Sequence, residues 1–175
     1  MLCWLYYEQG DGVIFGYGDI SSANRGIVLR VKDRKISLLF RTQNHSSETT
    51  LTANTQLAGG WKFVGASYDH DSGEAKLWVD GDVAMIETIR EGHELATQDS
   101  IIMGQNVEGK ITQLQIYNLP LTQEQIQIIQ KRTQLPGLNI RLFLTIVSVN
   151  NSGTFDTSED DTPFPVQCCT NRWRF

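Results

Sequence analysis

The run from Glu74 to Ile86 admits few folds. Ala75, Leu77 and Val79 alternate with Lys76, Trp78 and Asp80, and side chains on a strand alternate faces, so one face of this segment can be buried. Asp80-Gly81 then supplies the left-handed backbone of a tight two-residue turn, and Val83, Met85 and Ile86 form the returning strand. Upstream, Trp61, Phe63, Val64, Ala66 and Tyr68 make another extended run, closed by the polar cluster Asp69-His70-Asp71-Ser72-Gly73, which reverses the chain. Three consecutive antiparallel strands follow.

The same pattern runs through the rest of the first 149 residues. Leu2 to Tyr7 and Val13 to Tyr17 read as paired strands around Glu8 to Gly12, and Gly18 to Gly26 reads as a loop. Ile27, Leu29 and Val31, then Ile36, Leu38 and Phe40, make a second hairpin around Asp33-Arg34. Glu48 to Leu57 is a Thr-rich strand of edge type, and Gly59-Gly60 leads into Trp61. Ser100 to Met103 and Lys110 to Asn118 add two more strands, the second stopped by Pro120. Thr122, with Gln125 three residues on, predicts a capped short helix over 122–131 that buries Ile126 and Ile129. Short strands with turn signals between them favour a sandwich over parallel βαβ units. Leu138 to Val149 is expected to return as a last strand. Beyond it the composition shifts to Asn, Ser, Thr and acid, which predicts a flexible tail over 150–175.

A chain of 175 residues is expected to form one domain that buries its core without metal or disulfide support. A net charge of −5 with no basic block argues against nucleic acid as a partner. No apolar run reaches the roughly 20 residues of a membrane span. Met1 to Gly12 lacks the basic start and apolar stretch of a secretory signal.

The order W-x-F-V-x-x-S-Y, S-G-E-A-K-L-W-V-D-G, S-I-I-M-G-Q and I-T-Q-L-Q-I-Y-N-L-P-L-T-Q-E-Q-I resembles the laminin-G-like and pentraxin group of concanavalin-A-like jelly rolls. The resemblance covers about Leu2 to Gln130. It implies an all-β jelly-roll sandwich with one short helix. It also implies a secreted protein whose earliest strands are missing here, the alternative being an intracellular single-domain protein. Against the resembling pattern, Cys3 falls where pentraxins place one half of an internal disulfide, and the other half would fall near Gly65. Cys3 therefore reads as a buried small hydrophobe. Cys168 and Cys169 leave an odd count of thiols.

Pentraxins hold calcium through acidic and amide side chains from two loops, and calcium takes six to eight oxygens. Of the first loop this chain keeps Asn24. The second departs at Gly104-Gln105-Asn106-Val107-Glu108-Gly109. Asn24, Gln105 and Glu108 are the metal ligands that the resemblance implies, too few for a pentraxin-type site, so no cofactor is expected. Asp69, Asp71 and Glu74 have a spacing faintly like a calcium loop, which a solvated turn also explains. A glycoside hydrolase on this fold needs two carboxylates across a cleft, and the E-x-D-x-E alternation that would place them on one strand is absent. His45, His70 and His93 sit in predicted loops. Trp4, Tyr6, Tyr7, Tyr17, Trp61, Tyr68 and Trp78 could make a sugar platform, but they lie in strands, where core packing is the default; Trp78, opposed to Leu77 and Val79, can instead face a concave sheet surface or water. Asn44-His45-Ser46 and Asn150-Asn151-Ser152 are glycosylation acceptors in a secreted chain.

The expectation is a non-catalytic extracellular recognition or adhesion module over residues 1–149. It binds glycan or protein through loops at one sandwich rim, with Asp19, Asn24, Asp69, Asp71, Glu74, Gln105, Asn106 and Glu108 as candidate ligand-binding residues. The alternatives are a calcium-dependent pentraxin-like lectin, and a divergent glycan hydrolase or non-functional fragment.

Overall fold

The computed structural model of the chain describes residues 1–17, 26–41, 48–89, 101–133, 144–149 and 155–156. Its strands are β1 (Leu2–Gln9), β2 (Gly12–Tyr17), β3 (Gly26–Lys32), β4 (Lys35–Arg41), β5 (Glu48–Gln56), β6 (Trp61–Tyr68), β7 (Glu74–Val79), β8 (Asp82–Thr88), β9 (Ile101–Gln105), β10 (Glu108–Tyr117), β11 (Leu144–Val149) and β12 (Phe155–Asp156). One helix, α1 (Gln123–Thr133), follows β10. They form a seven-stranded sheet, β12-β11-β10-β1-β6-β7-β8, and a five-stranded sheet, β5-β4-β3-β2-β9. The expected jelly-roll sandwich is the fold.

Local chemistry sets the Asp80-Gly81 and Asp33-Arg34 hairpins where the residue pattern places them, whereas β1 and β2, expected to pair, lie in different sheets and the Gly10-Asp11 turn carries the chain from one to the other. Asp80 (φ 53°) and Gly81 (φ 85°) both take the left-handed conformation, and Val79 faces Asp82 across the turn. Asp80 also fixes the neighbouring strand: its carboxylate accepts from the Phe63 N–H at 3.2 Å and from Lys62 at 2.6 Å. Asp33 and Arg34, at φ 52° and 59°, close the β3–β4 hairpin in the same way. The last strand returns to the sandwich over Leu144–Val149 and pairs parallel to β10, with Leu114 opposite Leu144; 138–143 lie outside the described residues.

The alternation of side chains divides the seven-stranded sheet into two buried faces. Cys3, Leu5, Val64, Ala66, Ala75 and Leu77 point between the sheets, with Ile14, Leu29, Leu38 and Phe40 of the other sheet facing them. On the opposite face Leu2, Trp4, Phe63 and Trp78 pack under Leu121, Ile126 and Ile129 of the helix segment. Trp78 is therefore neither in the inter-sheet core nor in water: it is 2% exposed, covered by the helix, and its indole N–H donates to Ser67 Oγ at 2.9 Å. The helix start is a reciprocal capping box. The Thr122 N–H donates to Gln125 Oε1 at 2.9 Å, and the Gln125 N–H donates to Thr122 Oγ1 at 3.3 Å.

Cys3 is buried, with a free thiol, and burial pushes that thiol up to about 12. Its cross-strand partner is Val64, while Gly65 pairs with Leu2. A Cβ on Gly65 would lie 2.6 Å from the Met1 carbonyl oxygen, so the strands approach too closely there for any side chain.

Candidate functional site

Strand direction sorts the candidate loops into two ends of the sandwich. β1 runs toward the end where the β1–β2 and β9–β10 turns cross between sheets; β6 runs the other way and hands over to β7 at the far end. Gln9 is opposite Glu108 and Leu2 is opposite Gly65, so the Tyr68–Glu74 turn lies about ten residues of strand, roughly 30 Å, from Glu108. Gln105, Asn106 and Glu108 therefore do not share a rim with Asp69, Asp71 and Glu74. Asp19 and Asn24 lie outside the described residues, in the connection between β2 and β3, whose flanking ends Tyr17 and Gly26 point to the far end.

At the crossover end the backbone is packed tightly. A Cβ on Gly10 would sit 2.7 Å from the Asn106 carbonyl oxygen, and one on Gly12 would sit 2.6 Å from the Asn106 carbonyl carbon. Asn106 is left-handed (φ 59°), Val107 is buried in the core, and Glu108 Oε2 accepts from Gln9 Nε2 at 2.6 Å. These residues make the crossing of the chain between sheets. Calcium needs six to eight oxygens, and Gln105 and Glu108 are the members of the implied set that lie within the described residues. Among the described residues no group of three or more His, Cys, Asp or Glu is placed to hold a metal ion.

The far-end turn is closed by its own hydrogen bonds. The Asp69 N–H donates to the Glu74 carbonyl at 2.9 Å and the Asp71 N–H to Asp69 Oδ1 at 3.0 Å. The Glu74 N–H donates to Ser72 Oγ at 3.3 Å, and the Ile89 N–H to the Gly73 carbonyl at 2.7 Å. Hydrogen bonding from Ser72, then from the Asp71 backbone, holds the Asp69 carboxyl below the usual carboxylate range. Glu74 is ion-paired with Lys76. The side chains left pointing outward are His70, 61% exposed, and Asp71, fully exposed, with Nδ1 and Oδ1 3.6 Å apart. The turn thus presents a donor and an anion on a fixed backbone, while Asp69 and Glu74 serve the turn itself.

A second feature was not singled out by the residue pattern. Tyr6 and Trp61 face each other across β1 and β6, on the helix-covered face, with ring centroids 5.6 Å apart and planes at 58°. Lys110, opposite Tyr6 on β10, sets its ammonium 5.9 Å from the Tyr6 centroid. Both rings are half-buried and Lys110 is largely exposed. The signal was the even spacing of Trp4 and Tyr6; the strand register needed to bring Trp61 and Lys110 to Tyr6 is not in the local sequence.

The outer face of the five-stranded sheet holds a small apolar cluster, Val13, Val28 and Leu39 with Ile102 against it. Ser37 and Thr52 hydroxyls meet there at 3.1 Å.

A laminin-G family model, described as the Concanavalin A-like lectin/glucanases superfamily, matches residues 2–127. No curated protein matches the sequence. Among solved structures, the fold is similar to the CBM40 of the Ruminococcus gnavus IT-sialidase bound to α2,3-sialyllactose (TM-score 0.60, 11% identity, 74% of this chain and 80% of that one). It is similar to the native heptameric SAP-like pentraxin of Limulus polyphemus (TM-score 0.53, 17% identity, 74% and 67%). It is also similar to the receptor binding domain of botulinum neurotoxin mosaic serotype C/D (TM-score 0.55, 16% identity, 75% and 35%).

Proposed function

Because the chain belongs to the concanavalin A-like lectin/glucanases superfamily, we propose that it is a non-catalytic recognition module. Its ligand is an extracellular glycan, or a glycan-bearing protein, held at the far-end rim that carries Asp69–Glu74. The observation that carries this reading is the self-closed turn, which leaves the His70 and Asp71 side chains outward, with no partner but each other among the described residues. A loop pre-ordered on a rigid scaffold loses little entropy on binding. The neighbours support the glycan class: one is a sialidase CBM40 bound to sialyllactose, another a receptor binding domain.

The absence of catalysis is supported by how the carboxylates are used. Asp69 and Glu74 close the turn, Asp80 ties β6 to the hairpin, and Asp82 accepts from Gln123 and Gln127 of the helix. A glycosidase needs two carboxyl groups facing each other across a sugar site; these four divide between the Asp69–Glu74 turn and the Asp80-Gly81 hairpin, and each has its own contact there. The module works without a bound metal, as part of a secreted or cell-surface protein.

The test is binding of the fluorescently labelled chain to an array of neutral and sialylated glycans, with millimolar calcium and with chelator. The expected result is the same retained set in both buffers, and loss of its neutral glycans in the His70→Ala/Asp71→Ala variant with an unchanged melting temperature. Full retention by that variant refutes the rim assignment. Binding seen with calcium and abolished by chelator replaces the metal-free reading with a calcium-dependent lectin.

A further inference from the structure

The aromatic residues on the helix-covered face form one continuous row. Trp78, Phe63 and Trp4 lie beneath α1, Trp4 and Phe63 with centroids 5.2 Å apart, and Trp61 packs against that cluster from its edge. Tyr6 comes next. The covered members have their polar atoms satisfied: the Trp4 indole N–H donates to Thr133 Oγ1 at 2.9 Å, at the last residue of the helix, and the Trp78 indole N–H to Ser67. The row continues past the point where the helix stops. Among the described residues neither the Trp61 indole N–H nor the Tyr6 hydroxyl has a hydrogen-bond partner. Gly59 and Gly60, which lead into Trp61, have open space around them.

We propose that Tyr6, Trp61 and Lys110 form a stacking site for a sugar ring of an acidic oligosaccharide, separate from the far-end rim. A pyranose presents a face of C–H groups and an edge of hydroxyls. The two tilted rings offer a π surface for the first, and the Trp61 indole N–H and the Tyr6 phenol offer a donor and a donor/acceptor for the second. Trp61 packs against the buried cluster beside it, so little of its side-chain freedom is lost on binding. Lys110 selects the charge: its ammonium stands beside the ring pair with no carboxylate partner among the described residues, so an acidic sugar can pair with it. An anionic glycan fits this arrangement better than an apolar peptide, which would leave the indole N–H, the phenol and the ammonium unmatched.

The experiment is an indole-region 1H–15N titration of the full chain with α2,3-sialyllactose, and with lactose as the uncharged control. The Trp61 indole signal is expected to shift saturably, while those of Trp4 and Trp78, already bonded inside the fold, stay nearly fixed. Trp61→Ala is expected to weaken sialyllactose binding at least about tenfold, the loss of one ring contact and its donor. Lys110→Gln is expected to weaken sialyllactose several-fold and leave lactose unchanged. Tyr6→Ala, remote from the helix contacts, gives the same loss should Trp61→Ala fail to fold. A Trp61 indole unmoved by either sugar up to about 10 mM, a concentration that reveals even the weakest specific sites, overturns the site. So does a dissociation constant unchanged by Tyr6→Ala or Trp61→Ala. Shifts confined to the His70–Gly73 amides overturn the stacking site and leave the rim reading standing, whereas shifts at Trp61 alone do the reverse.

Discussion

Replacing Ile126 by alanine tests whether the helix is an integral cover of the sheet or an appendage. Ile126 is 1% exposed, among Leu2, Trp4, Phe63 and Trp78. The change removes about three methyl or methylene groups at roughly 0.8 kcal/mol each, near 2.4 kcal/mol of transfer free energy. A cavity contribution adds to this, because the rings below cannot collapse into the space: Trp78 is tethered to Ser67 and Trp4 to Thr133. Alanine's better helix propensity returns about 0.4 kcal/mol, leaving a net cost of about 3 kcal/mol, inside the range for such substitutions. Ile128, two residues on, is 46% exposed, and Ile128→Ala is expected to cost about 0.5 kcal/mol or less. Urea unfolding of the full chain, followed by tryptophan fluorescence with the slope held common, measures both. Equal costs for the two variants, or a cost for Ile126→Ala below about 1 kcal/mol, would refute a docked helix.

Two further predictions follow from single contacts. Thr122→Ala removes one arm of the capping box and is expected to lower stability by about 1 kcal/mol, and Thr122→Ser to restore most of it in the same urea assay. Burial raises the Cys3 thiol to about 12, so folding favours its neutral form. Its contribution is complete below the unfolded value near pH 8.5 and is lost as pH rises toward 12. Above about pH 8.5 melting temperatures should therefore fall, Tyr117, also raised to about 12 by burial, adding to the fall above pH 10. Cys3→Ala should flatten the fall between about pH 9 and 10; an unaltered slope in that variant would show that the thiol is not the group responsible.

The elements legible in the sequence were those specified by neighbours in the chain. The Asp80-Gly81 hairpin, the Trp61–Tyr68 strand and the Thr122–Gln125 cap depend on backbone conformations or hydrogen bonds spanning a few residues. The destination of Trp78 was not legible. Alternation placed it opposite Leu77, but its cover comes from Ile126 and Ile129, some fifty residues on, in a docking decided by tertiary packing. The candidate site divides in the same way. That Asp69–Gly73 is a turn is local information, whereas its separation from Gln105–Glu108 follows from the register of β1 against both β6 and β10. Composition treats both stretches as polar loops; only pairing places them at opposite ends.

The stacked turns at Gly10, Gly12 and Asn106 carry a consequence for how the domain can be diversified. With the Gln105–Asn106 backbone filling the space where Gly10 and Gly12 would carry a side chain, the β1–β2 turn cannot accept a bulkier residue without moving its neighbour. Insertions and grafted peptides there are expected to be lethal to folding. The Asp69–Gly73 turn has a closing bond between Asp69 and Glu74 that leaves the tip free to vary. A library aimed at new ligand specificity belongs in that tip, with the glycine-locked turns kept invariant as the fixed frame on which the variable surface is displayed.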